Sequence, residues 1–276
     1  MQISNIIQNF ERDLRVKNYA PRSINNYISQ VKLFLNYFKG KDSPKHISAD
    51  DIKNYLLTAK EVNSQRHMHS AIKCLYKYTV HQPCKFKFIE YARKERKLPQ
   101  IIDKDFLLDR ISKIDNIKHK AIITLAYSTG MRVGEIINLM ITDIDSIRMI
   151  ITVRQAKGRK DRIVPLSQTT LDTLRQYFKS FRPQEYLFNG QLSKSDIQKN
   201  VPYVQYTERS CNEIVKKYLG AQYHMHLLRH SSFTALMEAG TDIRVIQSLA
   251  GHSSSKTTEI YTHVSRQYIA KVATPI

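Results

Sequence analysis

The 276-residue chain has no apolar run approaching the roughly 18 residues that cross a bilayer. Its first residues, MQISNIIQNFERDLR, are polar and acidic where a secretory signal is apolar. No membrane partner is expected. The three cysteines, Cys74, Cys84 and Cys211, are odd in number and scattered, without metal-site spacing, which fits free thiols in a reducing cytoplasm. A Walker-type glycine loop and a Gly-x-Ser-x-Gly elbow are both missing. The carboxylates form no obvious cluster, although three dispersed ones would escape a reading of one sequence. Two-metal nucleases depend on such carboxylates, so any phosphodiester chemistry here is expected to run without metal, and no cofactor is expected. There is no internal repeat and no low-complexity segment.

Acid is scarce overall, with 24 Asp and Glu against 44 Lys and Arg, a net charge of +20. The excess is spread through both halves, so it is not a basic tail on a neutral enzyme. Such a chain repels itself unless a polyanion relieves it, and nucleic acid is the usual polyanion. The competing partner, a membrane surface, calls for a long basic amphipathic helix, and none is seen. The expected location is the prokaryotic cytoplasm, at the nucleoid.

Helical periodicity dominates the first 90 residues. Ile3, Ile6, Ile7, Phe10 and Leu14 share one face, and Ile24, Tyr27, Ile28, Val31, Phe34, Leu35 and Phe38 form a second stripe with Ser23 as its expected N-cap. Ser48 and Asp51 have capping-box spacing, and a fourth helical run covers about 64–80. Residues 1–90 therefore read as a small helical domain and 91–100 as a charged linker closed by a proline. Residues 101–276 read as a second domain. Within it FLLDRISKI and KHKAIITLAYSTG are helical, the latter ending at Gly130, and a further helix begins in MRVGEIINL. RMIITVRQ and DRIVPL are strands joined by the basic turn AKGRK. From Thr207 onward the pattern is helical again. The fold class is mainly α with a small β-hairpin or sheet.

The densest polar constellation is HMHLLRHSSF, His224 to Phe233. His226 and Arg229 share a helix face, a pairing suited to phosphate recognition. His226 and His230, four apart, also have zinc-binding spacing, but Arg229 sets a fixed cation beside that metal. His224 and His230 read as ordinary hydrogen-bonded polar residues. Arg132 follows YSTG at a helix start, where its guanidinium and the helix amides converge on one anion or, equally, Arg132 pairs with Glu135. Lys157 in the hairpin turn is a solvated charge or a phosphate contact. LAGHSSS sets His252 just after a helix-ending glycine, and nine residues later comes Tyr261 in KTTEIYTHVS. Metal-free phosphodiester cleavage needs an oxygen nucleophile, cations on the non-bridging oxygens and an acid for the leaving hydroxyl. Tyrosine is a weak nucleophile at its usual pKa of about 10, and nearby cations are expected to favour its phenolate. The β-branched residues around Tyr261 make a marginal helix, so the tyrosine is expected to be movable until DNA and a partner order it.

STGMRVGEI, AKGRKDRIVPL and HLLRHSSFTALMEAGTDIRVIQSLAGHSSSKTTEIYTHVS, in that order and at ordinary spacing, resemble the tyrosine recombinases, or phage-type integrases. The four-helix start fits the same family more loosely. The resemblance implies an N-terminal SAM-like core-binding domain and a mixed, mostly helical catalytic domain that clamp DNA between them. It implies that Tyr261 attacks the scissile phosphate to form a 3′-phosphotyrosyl link, with Arg132 and Arg229 on the non-bridging oxygens. Lys157 would protonate the leaving 5′-oxygen, His226 would assist proton transfer at the nucleophile, and His252 would hydrogen-bond the phosphate. Glu135 would orient the site, and Arg159 and Lys160 would contact DNA. The departures, RHSSFT for the family's RHSFAT and LAGH for LLGH, concern packing residues. The chain begins at the core-binding helices without an arm-binding domain, which points to the Xer-like or mobile-element recombinases. Implied partners are double-stranded recombination sites, three further copies in a tetramer that passes through a Holliday junction, and accessory proteins. The tail RQYIAKVATPI is a candidate for docking on a neighbouring protomer.

Overall fold

The computed structural model describes residues 2–93, 100–156, 160–190, 192, 204–252, 254–259 and 261. The chain divides into two compact units, Met1–Arg96 and Lys97–Ile276.

The first unit is built on helices α1 (Ile3–Val16), α2 (Pro21–Tyr37), α3 (Ala49–Leu57) and α4 (Val62–Tyr78). Each turns its apolar stripe inward, and Phe10, Leu14, Val31, Phe34, Leu35, Ile52, Ile72, Leu75 and Tyr76 are fully buried together. The expected capping box is present: the Asp51 N–H donates to Ser48 Oγ at 3.0 Å and the Ser48 N–H to Asp51 Oδ2 at 2.9 Å. Ser23 does not cap α2. The helix starts two residues earlier at Pro21, whose fixed φ suits the first helical position and whose missing N–H costs nothing there. Residues 91 and 92, expected in the linker, lie back on α4: Arg66 Nη1 donates to the Ala92 carbonyl at 2.7 Å, and the Tyr91 ring rests 4.0 Å from that of His69.

In the second unit, α5 (Lys104–Ser112) leads to α6 (Ile117–Thr129), the central helix. It buries Ala121, Ile122, Ile123, Leu125, Ala126 and Thr129 and packs against α8 (Gln168–Phe181) and α10 (Met225–Glu238). A helix covered on several sides needs no polar face, which explains its weak amphipathicity. Between them stand the short α7 (Val133–Ile137) and a three-stranded antiparallel sheet in the order β1 (Ile144–Asp145), β2 (Ile150–Ala156), β3 (Lys160–Pro165). Ile151 pairs with Val164 and Val153 with Arg162. Ile151, Val153 and Val164 turn into the core, whereas Ile163, one residue out of phase, is exposed. α9 (Glu208–Leu219) and α11 (Ile243–Ala250) complete the unit. Ser231 Oγ on α10 accepts the Ile102 N–H at 2.8 Å, which holds the start of the unit to its centre.

Gly130 ends α6 in the left-handed region, φ 60°, as its position at the end of YSTG implied. A Cβ there would lie 2.6 Å from Phe233 Cζ on α10, so both backbone and packing demand glycine. Gly130→Ala should therefore lower unfolding free energy by about 2–3 kcal/mol, read from urea denaturation. A variant as stable as the parent would show that Phe233 yields freely.

Candidate active site

Arg229 sits in the middle of α10 and is 1% exposed. Its Nη1 donates to the Gly130 carbonyl at 2.6 Å and its Nη2 to the Ala250 carbonyl at 2.7 Å. These oxygens belong to the C-terminal ends of α6 and α11, where backbone carbonyls lack helical partners and the helix dipoles are negative. Two helix ends thus offset a guanidinium whose burial would otherwise cost several kcal/mol. The ring of Phe233, one turn on, lies 4.8 Å beneath the guanidinium carbon. Burial first, then the Arg132 charge, pushes the Arg229 pKa down to about 10, so it remains a cation at neutral pH.

His252 follows Gly251, the left-handed residue that ends α11. Its Nε2 lies 3.1 Å from Arg229 Nη2 and its Nδ1 2.9 Å from Thr258 Oγ1. Arginine can only donate, so Nε2 is the acceptor and Nδ1 carries the proton.

Arg132 precedes α7. Its backbone N–H donates to Glu135 Oε2 at 2.8 Å and its Nη1 to Glu135 Oε1 at 2.9 Å. The chain's own carboxylate occupies the amide that the sequence offered to an external anion, while the guanidinium still lines the cavity. Arg162, which sequence reasoning missed, holds the same carboxylate through both nitrogens at 2.8 and 2.7 Å and donates from Nε to the Leu249 carbonyl at 2.8 Å. The Arg162 and Glu135 side chains are each only 9% exposed. The signal was available: Arg162 shares its strand register with buried Val164, and a charge on the core-facing side of a strand needs a buried partner. Burial acts to raise the Glu135 pKa, but hydrogen bonds from Arg162 and Arg132 outweigh it and hold the pKa at about 2.

Tyr261 is 1% exposed, with its ring 5.6 Å from Phe233, 5.7 Å from His230 and 6.5 Å from His252, nearly parallel to the last. It packs with Phe233, Met237, Ile246 and Ala250. The expectation of a cation-favoured phenolate is not met in this state. Burial raises the tyrosine pKa above its ordinary value, although Arg229 and Arg132 pull it down, and the ring is packed. The preceding Ser255–Thr257 forms a single 3-10 turn rather than an α-helix.

Arg132, His226, Arg229, His252 and Tyr261 thus come together around one cavity of about 220 Å³, with His230, Gly251 and Thr257 completing its wall. His226 stands exposed at the first turn of α10. Desolvation of the part of its ring turned to the cavity, and then the neighbouring Arg229, His224 and Arg132, push its pKa below the ordinary value. His230, set aside on sequence, is part of the wall. Lys157 and Arg159 lie outside the described residues. Lys160 opens β3 opposite Ala156. No group of three His, Cys, Asp or Glu side chains suited to a metal ion occurs among the described residues.

Residues 96–268 match the phage integrase family, and residues 6–85 match its N-terminal SAM-like domain. The chain belongs to the phage integrase family, the tyrosine recombinases. It is 32% identical to the putative integrase/recombinase y4qK of Sinorhizobium fredii over 97% of this chain and 87% of the relative. It is 31% identical to the tyrosine recombinase XerA of Pyrococcus horikoshii over 96% of this chain and 91% of the relative. The crystal structure of the XerH site-specific recombinase bound to palindromic difH substrate shares the fold, with a TM-score of 0.74 at 23% identity, covering 92% of this chain and 80% of that one. The chain is a tyrosine-type site-specific recombinase, an enzyme that cuts and rejoins DNA strands. No helix among the described residues is long and apolar enough to cross a membrane.

The low Glu135 pKa ties stability to pH. An unfolded glutamate titrates near 4.5, so the Glu135 contribution, about 3 kcal/mol, is complete above that pH and lost as pH falls toward 2. Glu135→Gln should flatten the acid limb of the stability–pH curve measured by urea denaturation. An unchanged limb would contradict the low pKa.

Proposed function

We propose that this recombinase cleaves each strand with Tyr261 through a covalent 3′-phosphotyrosyl intermediate, without metal or ATP. The observation that carries the reading is a buried cation on the wall of the cavity that Tyr261 also lines. Among the described residues the hydrogen-bond partners of Arg229 are two carbonyls and an imidazole, none of them an anion, and Arg132 lines the same cavity. A phosphodiester supplies the missing anion. Arg229 and Arg132 hold its non-bridging oxygens and stabilise the charge that grows on them in the transition state. The Tyr261 oxygen attacks phosphorus, its proton leaves toward the histidines at the cavity mouth, and the P–O5′ bond breaks. Lys157 delivers a proton to the departing 5′-oxygen from its hairpin turn, while Arg159 and Lys160 contact the DNA backbone. His252 hydrogen-bonds the phosphate, and Glu135 fixes Arg132. Because the phosphotyrosyl ester conserves the bond energy, a 5′-hydroxyl reverses the step.

In this reading residues 1–90 form the core-binding domain, 91–100 the linker and 101–276 the catalytic domain. Four copies act on two DNA sites and exchange strands in pairs through a Holliday junction, with accessory proteins in attendance. The biological role we favour is integration and excision of a mobile element, in keeping with the name of the relative y4qK. The alternative is Xer-type chromosome dimer resolution or DNA inversion, in keeping with XerA.

Denaturing the protein on its host's genomic DNA should trap covalent adducts, and sequencing the attached DNA should return one recurrent site. A site at a mobile-element junction supports the favoured role, and one at the replication terminus supports the alternative. Tyr261→Phe should bind that site normally while adduct formation falls by about 10³-fold or more. Wild-type adducts should form in EDTA. Persistent adducts in Tyr261→Phe, or strict metal dependence, would overturn the mechanism.

A further inference from the structure

The phenol proton of a buried, neutral Tyr261 must reach a base as the oxygen attacks. Three rings adjoin that of Tyr261 among the described residues: Phe233, His252 and His230. Phe233 takes no proton. His252 has both nitrogens committed, Nε2 to Arg229 and Nδ1 to Thr258. His226 makes no ring contact with Tyr261; its ring lies against that of His230, with centroids 4.6 Å apart and planes at 79°. His230 therefore stands between the nucleophile and His226. Its Nδ1 is buried and has no hydrogen-bond partner among the described residues, an arrangement that is costly and asks for a reason.

The four rings form a file from the interior outward. Tyr261 is 1% exposed, His230 is half-buried 5.7 Å away, His226 follows at 4.6 Å, and exposed His224 stacks on His226 at 6.5 Å. Helical geometry makes the middle step, since His226 and His230 are four residues apart on α10. We propose that His230 is the group that first takes the Tyr261 proton and that it relays a proton through His226 to solvent. The inference rests on Tyr261 being the nucleophile.

The proton count closes. Neutral imidazole has one lone pair and one N–H. As the Tyr261 oxygen bonds to phosphorus, its proton moves to the lone pair of His230. The other N–H of His230 passes to the lone pair of His226, which loses a proton to water at the cavity mouth. The P–O5′ electron pair leaves with the 5′-oxygen and is protonated separately. The groups facing His230 are His226, Arg229 and His224 on or before α10, Tyr261 on the C-terminal segment, and Arg132 and His252 across the cavity. Burial, then neighbouring His226, Arg229 and His224, hold its pKa at about 4, so free His230 is neutral and its lone pair is unprotonated. A bound phosphodiester brings a negative charge into the same cavity and raises the basicity of both histidines when cleavage begins.

The test is single-turnover formation of the covalent adduct on a nicked duplex carrying the site recovered by adduct sequencing. His230→Ala and His230→Gln are each checked for wild-type melting and site binding. Both should form adduct about 10²–10³-fold more slowly. Their rates should climb in proportion to hydroxide up to pH 9, where the wild-type rate has levelled off. Added imidazole should restore at least about tenfold of the loss in His230→Ala, which has room for it, and little in His230→Gln. Rates within threefold of wild type, or slow rates with the wild-type pH profile and no response to imidazole, would overturn the relay. If His230→Ala melts early, the pH profile of His230→Gln decides alone. Tyr261→Phe is run alongside: adducts in that variant would reject the nucleophile rather than the relay.

Discussion

A guanidinium buried between two helix ends organises the catalytic unit. Arg229 satisfies the last carbonyls of α6 and α11 at once, so the loop leading to Arg132 and the turn leading to His252 are fixed from one point. The arrangement solves two problems together. Helix C-termini need donors, and a buried cation needs negative partners, yet carbonyl dipoles leave the full positive charge in place. A carboxylate in the same position would have cancelled the Arg229 charge.

Around this point the remaining contacts spread in two directions. Glu135 joins Arg132 to Arg162, and Arg162 reaches the Leu249 carbonyl and packs under Gly251. β3 is thereby tied both to the loop that carries Arg132 and to the turn that leads to His252. On the other side Phe233 fills the space between Gly130, Arg229 and Tyr261. A tyrosine packed on that ring is a neutral phenol in the free protein. The same burial that raises its pKa strengthens every charge interaction in the cavity relative to water. In the proposed mechanism the tyrosine stays protonated until the phosphate arrives.

Much of this was legible in the residues themselves. Helical stripes named the first unit, and Gly130 and Gly251 marked two helix ends. The order Arg132, Lys157, His226, Arg229, His252, Tyr261 carried the family. What escaped were relations between distant segments. Ser23 looked like a cap because local chemistry favours serine, but Pro21 fixes the start earlier. Arg162 stands in the strand DRIVPL in phase with Val164, but its partners, the Glu135 carboxylate and the Leu249 carbonyl, are set only by the fold. Helical spacing ties His230 to His226, whereas its place beside Tyr261, 31 positions later in the chain, is set only by the fold. The Tyr261 pKa was misjudged because cations are visible in a sequence and burial by Phe233 and Met237 is not.

The central claim is that Arg229 holds the two loops of the site together before DNA binds. Amide hydrogen exchange of free Arg229→Lys and wild-type protein tests it directly, because lysine keeps the charge but cannot span two carbonyls in one plane. In Arg229→Lys exchange should quicken together at Gly130–Arg132 and Ala250–His252 while the α6 interior stays protected. Unchanged protection at both segments, or a change at only one, would contradict it.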